Sequence, residues 1–409
     1  MYKRQTNTQY EDKDPRIGIF RIEGLADGTY TLKESKAPVG YWLNTQTYTI
    51  TVSGTTVKWD PTPAGQVDAN GIAWISDKPT QVAWEKEDTT SKDLLPGSGW
   101  TIDQKVLNDR GEPVLDDKGN PTWKPLNEVL DCMSNSCDTS KKYNDENNEA
   151  GKFLVKYLPV GDYRIRETTV PAGYEAVEEA YYFTIPPTAP TTPDNSEGIV
   201  YINPKRIGNT RKTGTVYWGK VSTELEDGKH VYLAGSAWSI KFKPHGTENF
   251  QDPVTITDCV KTSESTSSTC SASGSVAWAK DDNIAAGRIS LSGLPWGTYE
   301  MVETKAPDGY YGDPSVTYIF TVGPDTPEFQ NVQIYVKNSE GKPGDTITTP
   351  QNPTGADGKP LPDYPNQVIT NEPGPPAQTG ADIVLVVIVA GAAFILGLLL
   401  IIKTRKKEA

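Results

Sequence analysis

Histidine, methionine and cysteine are scarce in this chain, whose 409 residues include two histidines, three methionines and four cysteines. The two histidines, His230 and His245, are isolated, and the chain has no HExxH, no GxSxG and no glycine-rich phosphate-binding loop. Because these residues cannot be combined into a catalytic or metal-binding set, we expect no metal, no cofactor and no enzyme with turnover.

Positive charge is also in deficit, since 53 Asp and Glu outweigh 40 Lys and Arg and leave a net charge of −13. An acidic surface repels nucleic acid and anionic lipid headgroups. We therefore expect no nucleic acid as a partner and no lipid contact by the folded part of the chain.

Long apolar runs are missing until residue 383. The single exception begins with Ile383, ends with Ile402 and has 20 residues, which is enough to cross a bilayer as one helix. Basic residues follow at 403–407, and positive charge marks the cytoplasmic side. We therefore predict a single-pass surface protein with its N-terminal bulk outside the cell. Residues 1–10 are polar and show no signal peptide, so we expect further sequence upstream.

The four cysteines form two close pairs, Cys132 with Cys137 and Cys259 with Cys270. In an exported protein such pairs predict two local disulfides. A zinc site is the alternative, and it is disfavoured because neither spacing is CxxC and no histidine adjoins a pair.

Helical periodicity is absent before the apolar run, and short segments of alternating apolar and polar residues take its place. Examples are 48–52, 181–185 and 316–322, which are bounded by Gly, Pro, Asn and Asp. This pattern predicts an all-β chain built from sandwiches or barrels.

One sequence box occurs three times with unchanged internal spacing, which indicates a row of similar domains. The box reads Leu-x-x-Gly-x-Tyr-x-x-x-Glu-x-x-x-Pro-x-Gly-Tyr and covers 25–41, 158–174 and 294–310. Its copies start about one domain length apart, too far for a solenoid repeat. The predicted divisions are a domain without its opening strand at 1–79, complete domains at 80–206 and 207–340, a Pro- and Gly-rich disordered spacer at 341–380, and the membrane helix with its basic tail at 381–409.

Strand alternation places one glutamate of each box on the core side, on the same face as the box tyrosine. A second block, Val-x-Trp-x-Lys, opens the two complete domains and directs one lysine inward in the same way. A closing strand then ends on a third inward polar residue. The inward sets are Glu34 and Asp77 in the first domain, Lys86, Glu167 and Asn203 in the second, and Lys220, Glu303 and Asn338 in the third.

A buried lysine, acid and amide form a reactive combination. Burial favours the uncharged amine, which is a nucleophile, while an acid beside the amide polarises its carbonyl and transfers the proton. Loss of ammonia from asparagine would leave an amide bond to the lysine side chain. The alternative is that these residues form ordinary ion pairs or cap strand ends, and in both cases their role is structural.

The lysine strand, the repeated box and the closing Asn or Asp strand resemble the Cna B-type (SpaA-like) domains of Gram-positive surface proteins and pilins. The resemblance covers about residues 15–340. It implies tandem immunoglobulin-like β-sandwiches that form spontaneous internal isopeptide bonds. The implied bonds join Lys86 to Asn203 with help from Glu167, and Lys220 to Asn338 with help from Glu303.

The first domain departs from this pattern. Its Glu34 and Asp77 match the acid and the acceptor, but the lysine strand is missing, and Lys3 lies in a different sequence context. We therefore predict an unfinished sandwich without an isopeptide bond.

Just before the apolar run, the pentapeptide Pro-Ala-Gln-Thr379-Gly380 resembles a cell-wall sorting signal. Sortase cuts such signals between Thr and Gly and joins the Thr to peptidoglycan or to a pilin lysine. The usual pentapeptide is LPxTG; here Pro replaces its Leu, and Ala replaces its Pro as in the LAxTG variant of some actinobacterial sortases. The alternative is a membrane protein that is never cleaved.

These features predict a structural surface protein whose isopeptide-stabilised domains form a stalk that presents an adhesin or belongs to a pilus. One alternative is a polymerising pilin subunit, for which Asn203-Pro204-Lys205 is only a loose match to a pilin motif. Another is a membrane-anchored module that binds a carbohydrate or a host ligand through exposed aromatic residues.

Overall fold

The structure is a computed structural model that describes residues 10–63, 72–134, 137, 140–227, 229–260, 276–347 and 367–374. Within these ranges the chain is all-β, as the sequence predicts, and it divides into two compact units at 1–210 and 211–409. None of the described ranges contains a helix with the length and apolar character that a membrane span requires. The predicted membrane helix at 383–402 and its basic tail lie outside them.

The first compact unit begins with a small antiparallel sheet, which belongs to the first domain. Its strands β1 (Gly28–Lys33), β2 (Thr47–Ser53) and β3 (Thr56–Asp60) pair in the order β1-β2-β3. Gly54 turns the chain between β2 and β3 with φ at 59°, a conformation that glycine adopts without strain. No counterpart of the lysine strand is found in the described residues of this domain.

The rest of the first compact unit is a sandwich of seven strands. They are β4 (Gln81–Asp88), β5 (Gly99–Lys105), β6 (Trp123–Leu130), β7 (Lys152–Lys156), β8 (Gly161–Thr169), β9 (Tyr181–Ile185) and β10 (Val200–Asn209). One sheet has the order β10-β4-β7 and the other the order β6-β5-β8-β9.

Aromatic side chains from both sheets fill this sandwich. Trp84 stacks on Phe153 with ring centroids 4.8 Å apart, and Trp100 meets Trp84 edge-on at 6.0 Å. All three rings are buried, because alternation along their strands turns every second residue towards the core. The same alternation along β4 turns Lys86 inward behind Trp84.

The second compact unit is a larger sandwich, which forms the third domain. Its strands are β11 (Gly214–Glu226), β12 (Lys229–Tyr232), β13 (Ala237–Pro244), β14 (Val254–Thr257), β15 (Arg288–Leu294), β16 (Gly297–Lys305), β17 (Tyr310–Tyr311), β18 (Tyr318–Val322), β19 (Tyr335–Lys337), β20 (Pro343–Thr346) and β21 (Val368–Pro373). One sheet has the order β12-β11-β21-β17, with β15 also paired to β11, and the other has the order β14-β13-β16-β18-β19-β20.

The repeated box forms the same local structure in all three copies. Its tyrosine donates a hydrogen bond to the carbonyl four residues earlier at 2.9, 2.7 and 2.6 Å in Tyr30, Tyr163 and Tyr299. The glycine after the box proline has φ of 88°, 81° and 85° in Gly40, Gly173 and Gly309. A side chain is rarely tolerated in that conformation, which explains why glycine recurs there.

Two predicted domain boundaries were wrong. The last strand of the second domain continues past residue 206 to Asn209, and β20 and β21 of the third domain lie in the segment predicted to be a disordered spacer at 341–380. That prediction rested on the low apolar content of the segment. Few apolar residues suffice there, because β21 inserts between β11 and β17 and buries Ile369 to 4% exposure.

Candidate functional site

Three polar side chains meet inside the second domain. Lys86 on β4 places its Nζ 3.1 Å from Oε1 of Glu167 on β8. The side-chain amide of Asn209, at the end of β10, donates to the two Glu167 oxygens at 3.2 and 3.0 Å and to the carbonyl of Glu175 at 3.0 Å. Lys86 and Asn209 are 0% and 1% exposed, so water has no access to the group.

Burial shifts the protonation equilibrium of this lysine. Desolvation lowers the pKa of Lys86 below its usual 10.5, and the neighbouring Glu167 only partly opposes that effect. The Nζ atom also lies 5.0 Å from the ring centroid of Trp100. A lysine in such a pocket loses its proton more readily than one in water, which makes its amine a better nucleophile.

Two atoms of this group have no hydrogen-bond partner among the described residues: Nζ of Lys86 and Oδ1 of Asn209. The lysine nitrogen forms an ion pair with Glu167 at 3.1 Å. Buried polar atoms without partners are costly. Here both of them belong to the amine and the amide that would react with each other.

The third domain contains the same group. Nζ of Lys220 lies 3.0 and 3.1 Å from the two oxygens of Glu303 and donates to Oδ1 of Asn371. The Asn371 amide in turn donates to Glu303 at 3.3 Å. Burial lowers the pKa of Lys220, which is 0% exposed, and Trp238 lies under its amine at 5.4 Å.

Parallel pairing of the first and last strands brings each lysine to its asparagine. Strand β10 runs parallel to β4 with Ile207 opposite Lys86, and β21 runs parallel to β11 with Ile369 opposite Lys220. The asparagine follows two residues after that isoleucine, on the same face of the strand. The glutamate reaches both side chains from the facing sheet.

The structure does not bring the predicted acceptors Asn203 and Asn338 to the lysines. Asn203 is exposed where the register between β10 and β4 shifts, and its peptide bond to Pro204 is cis. Asn338 is exposed in the turn after β19, where its Oδ1 accepts hydrogen bonds from the backbone N–H groups of Glu340 and Lys342. Neither side chain faces the core.

The prediction extended strand alternation to the end of an assumed closing strand in each domain. Asn203 and Asn338 follow their glutamates at nearly equal distances, whereas the asparagines that the structure places beside those glutamates follow after 42 residues in Asn209 and 68 residues in Asn371. The three positions share a local pattern, an isoleucine two residues before an asparagine or aspartate, but residues 256–258 match it as well, so the pattern alone does not select them. It reads Ile75-Ser-Asp77, Ile207-Gly-Asn209 and Ile369-Thr-Asn371.

In the first domain, Glu34 and Asp77 correspond to Glu167 and Asn209 of the second domain. Glu34 accepts the backbone N–H of Asn44, ten residues later, at 2.7 Å, just as Glu167 accepts that of Val177, ten residues later, at 3.1 Å. Burial, and then the charge and hydrogen bond of Glu34, raise the pKa of Asp77 to about 6. Among the described residues, no lysine pairs with either carboxyl group.

The structure joins Cys132 to Cys137 by a disulfide with a Cα–Cα distance of 5.5 Å. Cys259 is described, but its predicted partner Cys270 lies outside the described residues, as do the predicted sortase-cleavage residues Thr379 and Gly380. Within the described ranges, His, Cys, Asp and Glu side chains form no cluster that could hold a metal ion.

A family model described as SpaA, prealbumin-like fold domain, matches the chain three times, at residues 1–63, 80–196 and 226–340. The three matched segments each include one copy of the repeated box. No curated protein sequence matches the chain.

Several solved structures are similar to the chain. The Bacillus anthracis TIE protein has a TM-score of 0.36 and 18% identity over 75% of this chain, which spans 40% of that protein. A Streptococcal ancillary pilin has a TM-score of 0.26 and 14% identity over 87% of this chain and 77% of its own. The C-terminal fragment of the pilus adhesin SpaC from Lactobacillus rhamnosus GG has a TM-score of 0.28 and 14% identity, with coverages of 73% and 100%.

Proposed function

This chain belongs to the SpaA prealbumin-like fold domain family, and we propose that it is a structural cell-surface protein whose tandem domains form a stalk strengthened by internal isopeptide bonds. The stalk presents an adhesin or forms part of a pilus. The proposed bonds join Lys86 to Asn209 and Lys220 to Asn371.

Each bond forms by a single displacement at the asparagine side chain. Nζ of Lys86 attacks Cγ of Asn209, the bond from Cγ to the amide nitrogen breaks, and ammonia leaves. Glu167 takes the proton from the attacking nitrogen and delivers it to the departing one, so the glutamate ends unchanged. Glu303 does the same for Lys220 and Asn371. The reaction occurs once per domain and turns nothing over.

The observation that carries this proposal is the recurrence of a buried amine, carboxyl and amide in two domains. An ordinary buried ion pair needs only the lysine and the glutamate, and it is a poor source of stability because both charges lose their water. The amide adds an electrophile within reach of the amine. Covalent bonding would remove the lysine charge from the core instead of balancing it.

A bond between the first and last strands of a sandwich has a mechanical consequence. Strand β4 opens the second domain and β10 closes it, and the two lie side by side. Tension that enters through one strand would pass through the amide bond to the other. The strands between them would carry none of that force, so the domain would resist being pulled open.

Intact-mass measurement of the full chain with its disulfides reduced tests the proposal. We expect a mass lower than the sequence predicts by two molecules of ammonia, and cross-linked peptides that contain Lys86 with Asn209 and Lys220 with Asn371. The substitution Glu167→Ala should restore one ammonia to the mass, because it removes the proton carrier of one domain only.

Glu34→Ala is the matched control, since it removes the equivalent carboxyl from the domain that has no lysine partner among its described residues. It should leave the deficit at two. An unmodified mass of the original chain would refute the bonds and leave the buried groups as ion pairs.

A further inference from the structure

A backbone connection links each reactive lysine to a half-buried aspartate outside the lysine–glutamate–asparagine group. In the second domain, the N–H of Lys86 donates to the carbonyl of Gly151 at 2.7 Å. The N–H of Gly151 donates to both carboxylate oxygens of Asp131 at 3.0 Å, and that of Gly97 donates to Asp131 at 2.7 Å. Asp131 therefore fixes the glycine that holds the backbone of the lysine.

The third domain repeats this connection with different surrounding sequence. The N–H of Lys220 donates to the carbonyl of Gly287 at 2.7 Å. Asp258 accepts the N–H of Gly287 at 3.0 Å and that of Gly235 at 2.8 Å. The same four roles are thus filled by Lys, Gly, Gly and Asp in both domains.

The other side of the lysine backbone is held as well. The carbonyl of Lys86 accepts the N–H of Leu95, and that of Lys220 accepts the N–H of Leu233, both at 2.8 Å. Each leucine lies two residues before a glycine bound by the aspartate, Gly97 or Gly235. The aspartate therefore connects the two segments that hydrogen-bond to the lysine backbone, one to its N–H group and the other to its C=O group.

The glycine in this connection has no room for a side chain. Gly151 and Gly287 have φ of 78° and 68°. A Cβ atom would lie 3.0 Å from the nitrogen of Leu95 at Gly151 and 2.7 Å from that of Leu233 at Gly287. The close approach leaves little freedom for the lysine backbone to move away from the asparagine strand.

We propose that Asp131 and Asp258 are positioning residues for isopeptide formation, each acting through a glycine on the backbone of the reactive lysine. The inference rests on the proposed function. Attack of an amine on an amide carbon requires near-contact of the two atoms, and small displacements of either group lower the rate steeply. The aspartates touch neither reacting atom, and their effect is on the location of the lysine Cα.

The test measures bond formation per folded domain in the full chain. The chain is made by cell-free translation with a short pulse of label, and samples are quenched in acid at intervals. Cross-linked peptides report the bond in each domain, and protease resistance of the same samples reports how much of each domain has folded. Asp131→Ala should slow the Lys86–Asn209 bond by about tenfold or more per folded domain.

The chain provides its own reference. In the Asp131→Ala variant, the Lys220–Asn371 bond of the same molecule should form at the original rate, and Asp258→Ala should give the reverse pattern. Asp131→Asn retains one acceptor oxygen, so its rate should fall between those of the original chain and Asp131→Ala. If the second domain of Asp131→Ala does not become protease-resistant, the rate of bond formation in Asp131→Asn is compared with that of the original chain instead.

Asp145→Ala separates positioning from general stability. Asp145 is a buried carboxylate of the same domain that accepts the N–H groups of Cys132, Asn147 and Leu154, none of which bonds to the lysine backbone. The Asp145→Ala substitution should reduce the folded fraction of the second domain and leave the rate of Lys86–Asn209 bond formation per folded domain unchanged. The inference would be overturned if the Asp131 variants form the Lys86–Asn209 bond at the rate of the original chain. It would also be overturned if Asp145→Ala slows that bond as much as Asp131→Ala does. Absence of both bonds from the original chain would instead refute the proposed function.

Discussion

Keeping a fully buried lysine charged costs free energy, because the charge loses its hydration, and both complete domains contain such a lysine. Lys86 and Lys220 are each 0% exposed beside a single carboxyl group and the face of a tryptophan. Their pKa values are lowered by burial. Burial therefore shifts both lysines towards the uncharged amine, and the proposed amide bond would make an uncharged state permanent.

The buried carboxyl groups of Asp145 and Asp281 predict how the free energy of unfolding changes with pH. Burial raises the pKa of Asp145 and of Asp281 to about 6, above the value of 3.8 expected when the chain is unfolded. The folded state thus binds these protons more tightly, so their stabilising contribution is complete below pH 3.8 and is lost as pH rises through about 6.

We expect each group to make unfolding easier at pH 7.5 than at pH 4.5 by on the order of 2 kcal/mol. Urea unfolding at both pH values measures this, with Asp145→Asn as the comparison because an amide does not titrate. The pH dependence of the second domain should shrink in the variant while that of the third domain stays. The same pH dependence in both proteins would contradict the assignment.

At the scale of whole strands, the parallel pairing of first and last strands decides which residues can react. An isoleucine opposite the lysine anchors the last strand in the core, and the proposed acceptor follows two residues later. In the third domain this strand is β21, which lies well beyond the previous strand in sequence and pairs with β11 on one side and β17 on the other.

The position of β21 predicts that the third domain depends on a segment that the sequence assigns to a spacer. A chain ended after residue 347 loses Ile369, which is 4% exposed, and the loss of such a side chain alone costs about 2–5 kcal/mol. We expect calorimetry to show that the unfolding transition of the third domain is missing or has a strongly lowered midpoint temperature. The transition of the second domain should be retained.

A chain ended after residue 374 is the matched control, because it keeps β21. It should unfold like the original. Identical transitions in the two shortened chains would show that β21 adds nothing to the fold.

Across the whole molecule, the three repeats differ in how completely their sites are built. The acceptor strand shows this best: Ile207 and Ile369 are 1% and 4% exposed, whereas Ile75 at the same position of the first domain is 40% exposed. Within the described residues, no lysine strand covers Ile75. Glu34 and Asp77 are therefore in place without an amine, and the described part of the first domain has no internal bond to form.

The C-terminal sequence predicts how the whole stalk is attached. If sortase cuts between Thr379 and Gly380, the product in cell-wall extracts lacks the apolar run and the basic tail, and its Thr379 is joined to peptidoglycan or to a pilin lysine. Thr379→Ala should keep the protein in the membrane fraction. Blotting of wall and membrane fractions checks this, and an original chain found only in the membrane with its tail intact would contradict sorting.

The sequence by itself determined the class of fold, the tandem arrangement and two of the three residues in each site. Alternation along a strand is a local property, so it correctly turned Lys86, Lys220, Glu167 and Glu303 towards the core. The repeated box carried its own turn and hydrogen bond in every copy, and those depend only on residues close in the chain.

Only the tertiary structure decided the third residue. Which asparagine meets the lysine depends on which distant strand lies beside the lysine strand and in which register, and a register shift lies between exposed Asn203 and buried Asn209. In the third domain, the strand that pairs with β11 lies beyond the predicted boundary. Pairing between segments far apart in sequence is selected by the total burial and hydrogen bonding of the sheet, which no local pattern contains.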